Sequence, residues 1–531
     1  MFFETFDVQF DQLKFSISHL PIIQIMKRIS PGHLLVLLTT LSLFGAVFIV
    51  HFPSSDTFHS LPPEKEEFLK LYGQDYGFNN TIDLLRKLEY PQLNEGAYLD
   101  YAGAARAAVL THFNADPDHW TVIFTSGTTA GLRLLGEGLP WTSSSTLLYT
   151  IDNHVSVLGL RAHVKEVGGT FEGLHFDEVL SRVDEINSDL SKKGSVDVMN
   201  VFAFPAQSNF AGNRYPLDII SKIYDNCDNH GVARWKIVLD AASMVSCCCF
   251  DLNNHDFADF IPISFYKMFG YPTGLGALIA KKSSIGDVNP KYFGGGAVAA
   301  VLPNQDWEVR RSQDHSRLEF GTISFTDIIS LTEGFNFMKN LGMANIAGHT
   351  MSLANYLADT LGEMKHSNGR EMFHLYGNFK YSKQTMPGST GQGPIVSFSM
   401  CDANGKFIPH SEVLSKCSNN GVSIRAGCVC NHGSCFYLAN VTNSDVYERF
   451  KTGCECESGC CATVKPLPGY SLVETDHQSE LIDDSNSECW PASYPGGQPS
   501  GVLRASIGFP TTFDDLMALV SVLRKYKDLV Q

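Results

Sequence analysis

From Tyr98 onward, short apolar runs alternate with Gly-containing turns and helical stretches. Thr121-Val-Ile-Phe124, Thr146-Leu-Leu-Tyr149, Met199-Asn-Val-Phe-Ala-Phe204 and Lys236-Ile-Val-Leu239 are nearly continuous in hydrophobicity. A strand covered on one face alternates apolar and polar residues, whereas a strand covered on both faces does not. These runs therefore predict buried strands of a mostly parallel sheet, and the helical patterns between them predict an α/β domain. Pro63-Glu-Lys-Glu-Glu-Phe68 reads as a helix start. The expected large domain covers residues 61–343. From about Ala344 the alternation changes, and residues 344–531 read as a smaller α+β domain. Residues 454–497 are polar and rich in Gly and Ser, the pattern of a surface insertion.

The N-terminal 60 residues have a different pattern. Leu34 to Val50 carries no charge and is mostly Leu, Val, Phe and Ala. The uncharged stretch Ser30 to Ser55 has the length of a short transmembrane helix, roughly 17–25 residues. Lys27 and Arg28 precede it, and Asp56, Glu64, Glu66 and Glu67 come after it, which would leave the globular part outside the cytosol. The expectation is a possible membrane anchor at about residues 33–52, against the alternative of translated upstream sequence. The Asn79-Asn80-Thr81 sequon matters only if the chain is lumenal.

With 44% hydrophobic and 18% charged residues in 531, the chain has the balance of a folded globular protein. Its net charge of −16 and lack of a basic stripe argue against nucleic acid as a partner. The 14 cysteines are too few for a disulfide scaffold at this length. They cluster at 247–249, 428–435 and 454–461, which predicts reduced thiols with chemistry or metal binding in a reducing compartment.

The densest chemical signal is Ser264-Phe-Tyr-Lys-Met-Phe-Gly-Tyr-Pro-Thr-Gly274, where Lys267 stands between an apolar strand and a Gly/Pro-rich turn. A lysine that loses hydration there drops in pKa and can form a Schiff base. Asp240 ends the strand Lys236-Ile-Val-Leu-Asp240, where a carboxylate can hold a pyridine nitrogen protonated; alone, a strand-end Asp is more often a helix cap. Phe124-Thr-Ser-Gly-Thr-Thr-Ala130 passes from strand to helix, and Ser126, Gly127 and Thr128 suit a phosphate at a helix N-terminus. His154, in Asp152-Asn-His-Val-Ser-Val157, can stack on an aromatic ring and move protons.

In this order the motifs resemble class V aminotransferase-fold enzymes, fold type I of the pyridoxal-phosphate enzymes, and within them molybdenum cofactor sulfurases. Asn153-His-Val-Ser-Val-Leu-Gly159, Phe202-Ala-Phe-Pro-Ala-Gln-Ser-Asn209, Tyr292-Phe-Gly-Gly-Gly296, Leu318-Glu-Phe-Gly-Thr322, Ile424-Arg-Ala-Gly-Cys-Val-Cys-Asn-His-Gly-Ser-Cys435 and Leu503-Arg-Ala-Ser-Ile-Gly508 extend the match over nearly all of 97–515. General cysteine desulfurases usually carry His before the lysine, where this chain has Tyr266. The resemblance implies pyridoxal 5'-phosphate as cofactor, held by Lys267, with Asp240 on the ring nitrogen, His154 on the ring face and Asn209 on the ring hydroxyl. It implies Ser126, Gly127, Thr128 and Ser264 on the phosphate, Thr322 from a second subunit of a homodimer, and Arg504 on the substrate carboxylate. It also implies a cytoplasmic catalytic domain that takes sulfur from L-cysteine as a persulfide and delivers it to molybdenum cofactor.

By position in its string, Cys430 is the expected sulfur carrier, ahead of Cys428 and Cys435. Cys428, Cys430, His432 and Cys435 also read as half of a zinc site that Cys454, Cys456, Cys460 and Cys461 would complete. Two departures qualify the match. Ala102-Gly-Ala-Ala105 runs straight into Arg106-Ala-Ala-Val-Leu110, where the family has a few dozen further residues, and the sequence stops soon after Arg504. The competing readings are another class V cysteine desulfurase or selenocysteine lyase, and an inactive membrane-tethered interaction protein.

Overall fold

The computed structural model describes residues 101–193, 197–230, 233–248, 250–253, 258–451 and 501–530. They fall within the unit Leu99–Gln531. The expected Pro63 helix start, the apolar segment at 33–52, the Asn79 sequon and the insertion at 454–497 lie outside the described residues. Among the described residues no helix is long and apolar enough to cross a membrane.

The larger sheet has seven strands: β1 (Trp120–Thr125), β2 (Thr146–Thr150), β3 (Thr170–Leu174), β4 (Val198–Pro205), β5 (Ala233–Asp240), β6 (Phe260–Ser264) and β7 (Gly276–Lys281). They lie in the order β1-β7-β6-β5-β4-β2-β3. Neighbours from β6 to β3 pair in parallel, while β7 runs antiparallel to both β6 and β1. Six strands therefore point the same way. Successive residues feed opposite faces: Phe202, Phe204, Ile237, Leu239 and Ile261 join one core, and Val201, Ala203, Val238 and Phe260 the other. Both faces of the sheet are covered by apolar side chains, which requires the continuous apolar runs seen in the sequence.

Helix α1 (Tyr101–His112) precedes the sheet and begins within the Tyr101-Ala-Gly-Ala motif. Its Arg106 donates to Val122 O at 3.2 Å and pairs with Glu319 at 2.5 Å, while Glu319 accepts from Phe124 N at 2.7 Å. The free edge of β1 is thus satisfied by the Arg106 and Glu319 side chains rather than by another strand. Helix α2 (Thr128–Gly138) comes after β1, α3 (Val155–Leu158) after β2, and α4 (Tyr266–Phe269) after β6. Gly342, at φ 80°, separates α5 (Phe325–Leu341) from α6 (Met343–Glu363).

Beyond α6 lies a five-stranded sheet of β8 (Phe373–Tyr376), β9 (Ser382–Gln384), β10 (Ile395–Met400), β11 (Arg425–Gly427) and β12 (Val502–Ser506), in the order β9-β8-β10-β12-β11. Helix α7 (His432–Leu438) comes after β11, and its Cys435 and Leu438 pack into the core of the larger sheet. The smaller sheet has its own core, which joins Leu357 and Leu361 of α6, Val396, Phe398 and Leu503 of the sheet, and Leu519 and Leu523 of α8 (Phe513–Arg524). Through α7 and Val502 the smaller sheet is built directly onto the larger one.

Candidate active site

The functional side chains gather where the parallel strands end, the usual position for ligands in open α/β sheets. Asp240 is the last residue of β5 and Ser264 the last of β6. The chain leaving β2 carries Asp152 and His154, and that leaving β4 carries Ser208 and Asn209.

Lys267 projects from the short helix α4 and is half-buried, with no hydrogen bond or ion pair among the described residues. Burial pushes its ammonium below the ordinary lysine range; Asp240 opposes that shift, Arg504 adds to it and Cys430 opposes it. Asp240 is 7% exposed and accepts from Ala242 N at 3.0 Å. His154 caps α3 with Nδ1 accepting from Ser156 N at 3.1 Å, which assigns the proton to Nε2. Burial lowers its pKa, Asp240 raises it, and Lys267, Arg504 and His432 lower it, so the ring is neutral near pH 7. Lys267 and His154 therefore each lie within the fields of Asp240 and Arg504, and Cys430 lies within that of Lys267.

Gly127 caps α2 at φ 124°, where a Cβ would stand 3.4 Å from Ser264 Oγ. Ser264 Oγ accepts from Thr128 N at 2.9 Å and shares a hydrogen bond with Thr128 Oγ1 at 2.7 Å. Gly127, Thr128 and Ser264 thus form one polar cradle at a helix N-terminus, suited to an anionic oxygen. Thr129 Oγ1 bonds Ser156 Oγ at 2.8 Å, tying α2 to the helix that His154 caps.

Ser126 and Thr322 stand apart from this set. Both are exposed. Ser126 lines a cavity of 780 Å³ with Thr125, Arg133, His163 and Tyr292. Thr322 lies in the loop whose Phe320 and Ile323 line the same cavity, and it makes no hydrogen bond to the other site residues described.

Arg504 comes from β12 of the smaller sheet. Its Nη1 donates to Asn209 O at 2.5 Å, and burial holds its pKa below the ordinary arginine value, helped by Arg425 and opposed by Cys430. The Asn209 side chain is turned to the cysteine loop, with Nδ2 donating to Val429 O at 2.7 Å and Oδ1 accepting from Asn431 Nδ2 at 3.1 Å.

The cysteine loop departs from expectation. Cys428 and Cys435 are joined in a disulfide, so the reduced-thiol reading gives way at those two positions. Asn431 starts α7 by accepting from Ser434 N, and the new helix turns back over the end of β11, bringing the two sulfurs together. Cys430 remains free and exposed between them, at φ 60°. Among the described residues no three His, Cys, Asp or Glu side chains are arranged to hold a metal ion. Cys454, Cys456, Cys460 and Cys461 lie outside those residues.

Four residues without an expected role are integral to the site: Asp152, Ser208, Tyr215 and Asn431. Asp152, 1% exposed, accepts from Ser208 Oγ at 2.6 Å, from Asn431 Nδ2 at 2.7 Å and from Tyr215 OH at 2.7 Å. The sequence held one signal for this, an Asp and an Asn each adjoining a functional motif, but the Tyr215 and Asn431 partners of Asp152 are 63 and 279 residues away.

An unpartnered amine beside a buried carboxylate, a neutral imidazole and an anion cradle define a site for a phosphate-bearing aromatic aldehyde cofactor in an α/β protein. The chain matches the aminotransferase class-V family over residues 92–442, and it belongs to that family. Molybdenum cofactor sulfurase of Danio rerio is 34% identical over 501 residues, covering 85% of this chain and 55% of its own length. That of Homo sapiens is 34% identical over 489 residues, covering 90% of this chain and 49% of its own. The chain thus spans about half the length of these relatives. Among solved structures, the cysteine desulfurase CsdA (S-sulfonic acid) of Escherichia coli superposes with a TM-score of 0.56 at 17% identity, covering 80% of this chain and 83% of its own. The cystine C-S lyase C-DES, in complex with cysteine persulfide, superposes with a TM-score of 0.52 at 15% identity, covering 82% and 92%. These likenesses agree with the fold-type-I architecture.

Proposed function

We propose that the chain is a pyridoxal-phosphate-dependent cysteine desulfurase that supplies sulfur to molybdenum cofactor. The observation that carries this reading is that Lys267 and His154 each feel the charges of Asp240 and Arg504, while the free thiol of the loop, Cys430, lies within the field of Lys267 and Arg504. Lys267 would hold the cofactor covalently, Asp240 its ring nitrogen, His154 its ring face, and Gly127, Thr128 and Ser264 its phosphate. When bound, the cofactor supplies an electron sink that acidifies the Cα–H of the substrate. Arg504 offers its free Nε and planar fork to the substrate carboxylate. Lys267, released as a neutral amine, takes the Cα proton, which its lowered pKa favours. The Cys430 thiolate attacks the substrate sulfur. An S–S bond forms as the Cβ–S bond breaks, the bonding pair stays on the amino-acid fragment, and protonation releases alanine. A second copy supplying Thr322, and a cytoplasmic setting, complete the reading.

The test uses the full chain titrated with pyridoxal phosphate, beside Lys267→Ala and Cys430→Ser. A visible cofactor band absent from Lys267→Ala, alanine released from L-cysteine, and a persulfide that disappears in Cys430→Ser support the reading. A colourless parent, or an undiminished persulfide in Cys430→Ser, overturns it. Transfer of the sulfur to a desulfo-molybdenum enzyme tests the acceptor separately.

A further inference from the structure

The loop bearing Cys430 is attached to the chain leaving β2 and to that leaving β4. Val155 N donates to Cys430 O at 2.9 Å, and Asn209 Nδ2 holds Val429 O. The next residue, Asn431, is fully buried and uses both ends of its amide: Oδ1 caps α7, and Nδ2 reaches Asp152 Oδ1 and Asn209 Oδ1. Gly433 lies so close to Ile151 that a methyl group there would collide with Ile151 O. The start of α7 is thus seated directly on residues 151–155.

Asp152 is the centre of this seat. Three donors from three separate stretches of chain converge on its two oxygens: Ser208 from beyond β4, Tyr215 a little further on, and Asn431 from the loop. His154 is two residues away on the same segment. Tyr215 is held protonated, first by burial and then by the Asp152 charge, so it remains a donor. A buried carboxylate needs several donors, and leaving any of its partners unpaired is costly.

We infer that Asp152 is a positioning residue that fixes the Cys430 loop to the His154 segment through Asn431, setting where the thiol stands relative to the bound substrate. Both Asp152 oxygens are taken up by protein donors, so it acts through Asn431 and the shared segment. The inference deepens the sulfur-carrier reading of Cys430 and rests on it for its catalytic consequence, while the anchor itself is a structural claim.

The test is a pair of variants of the full chain. Asn431→Asp sets a second carboxylate against Asp152, and Asp152→Asn in that background gives the pair back a donor. Iodoacetamide labelling of Cys430, with peptide mass spectrometry on the cofactor-free protein, reads the anchor without any catalysis. The expected result is a several-fold change in labelling rate in Asn431→Asp that reverts most of the way in the double variant. With cofactor and L-cysteine, single-turnover persulfide formation should fall tenfold or more in Asn431→Asp, with cofactor absorbance unchanged and KM within about twofold, and recover in the double variant. Unchanged labelling in Asn431→Asp, or a double variant no better than the single, overturns the anchor. Loss of cofactor from Asn431→Asp also overturns it, since the pair would then belong to the cofactor site. A parent that labels as expected but forms no persulfide leaves the anchor standing and removes the sulfurase reading instead.

Discussion

Arg504 Nη1 donates to the backbone oxygen of Asn209 at 2.5 Å, while Arg504 Nε is buried and makes no hydrogen bond. One side of the guanidinium is fixed by the larger sheet's loop and another is left for an incoming acceptor. Arg504→Lys keeps the charge but loses the fork. It should lower kcat/KM for L-cysteine by roughly 10- to 100-fold, mainly through KM, equivalent to about 1.5–3 kcal/mol for a hydrogen bond to a charged group. Steady-state alanine release checks this, and cofactor absorbance should be unchanged.

Asp240 is buried at the end of β5, where Ala242 N donates to it. Asp240→Asn retains the volume but not the charge that a protonated ring nitrogen requires. The variant should still bind pyridoxal phosphate through Lys267, with kcat reduced on the order of 100-fold, equivalent to about 2–3 kcal/mol for a charge-assisted contact. Single-turnover persulfide formation would show the loss directly.

Gly127 adopts φ 124°, which only glycine enters readily, and a Cβ there would face Ser264 Oγ. Gly127→Ala should cost about 1–3 kcal/mol through backbone strain alone. It should also weaken pyridoxal phosphate binding, since relief of the strain moves Thr128 N from its place. Thermal unfolding of the cofactor-free protein reads the first effect and a cofactor titration the second.

His112 ends α1 between Phe113 and Phe335, with ring centroids 4.9 and 4.8 Å away, and burial lowers its pKa to about 4. The unfolded chain binds the proton at a higher pH than the folded one. Stability is therefore full above the unfolded value, near 6.5, and declines as pH falls toward about 4, by up to about 3 kcal/mol. His112→Leu should flatten this part of the decline, measured by denaturant unfolding at pH 7 and pH 5.

The strands were legible because burial on both faces writes a local signature: Val201, Phe202, Ala203 and Phe204 are apolar without a break, and the structure sends them alternately to two cores. The fold class came from that signature. Lys267 and Asp240 were legible because each stands at the junction between a strand and the turn after it. Asp152, Tyr215 and Asn431 were not, since a hydrogen bond across 279 residues leaves no periodicity behind. The Cys428–Cys435 bond was hidden for a related reason: composition describes the average cysteine, and this pair is set by the turn that Asn431 begins. The contacts of Asn209 to Val429 and Asn431 were likewise not legible, because they join residues more than 200 positions apart.

Val429 and Cys430 both occupy the left-handed region, at φ 45° and 60°, and neither is glycine. For a β-branched valine this is an outlier worth on the order of 1–3 kcal/mol. The thiol-bearing turn is in effect a cocked spring, held down by Asn209 on Val429 and Val155 on Cys430 and closed at its ends by the Cys428–Cys435 disulfide. Releasing the latch costs less than the number of bonds suggests, because the backbone gains on leaving. On the proposed sulfur-carrier reading of Cys430, part of the cost of moving the thiol is already met in the resting shape of two residues.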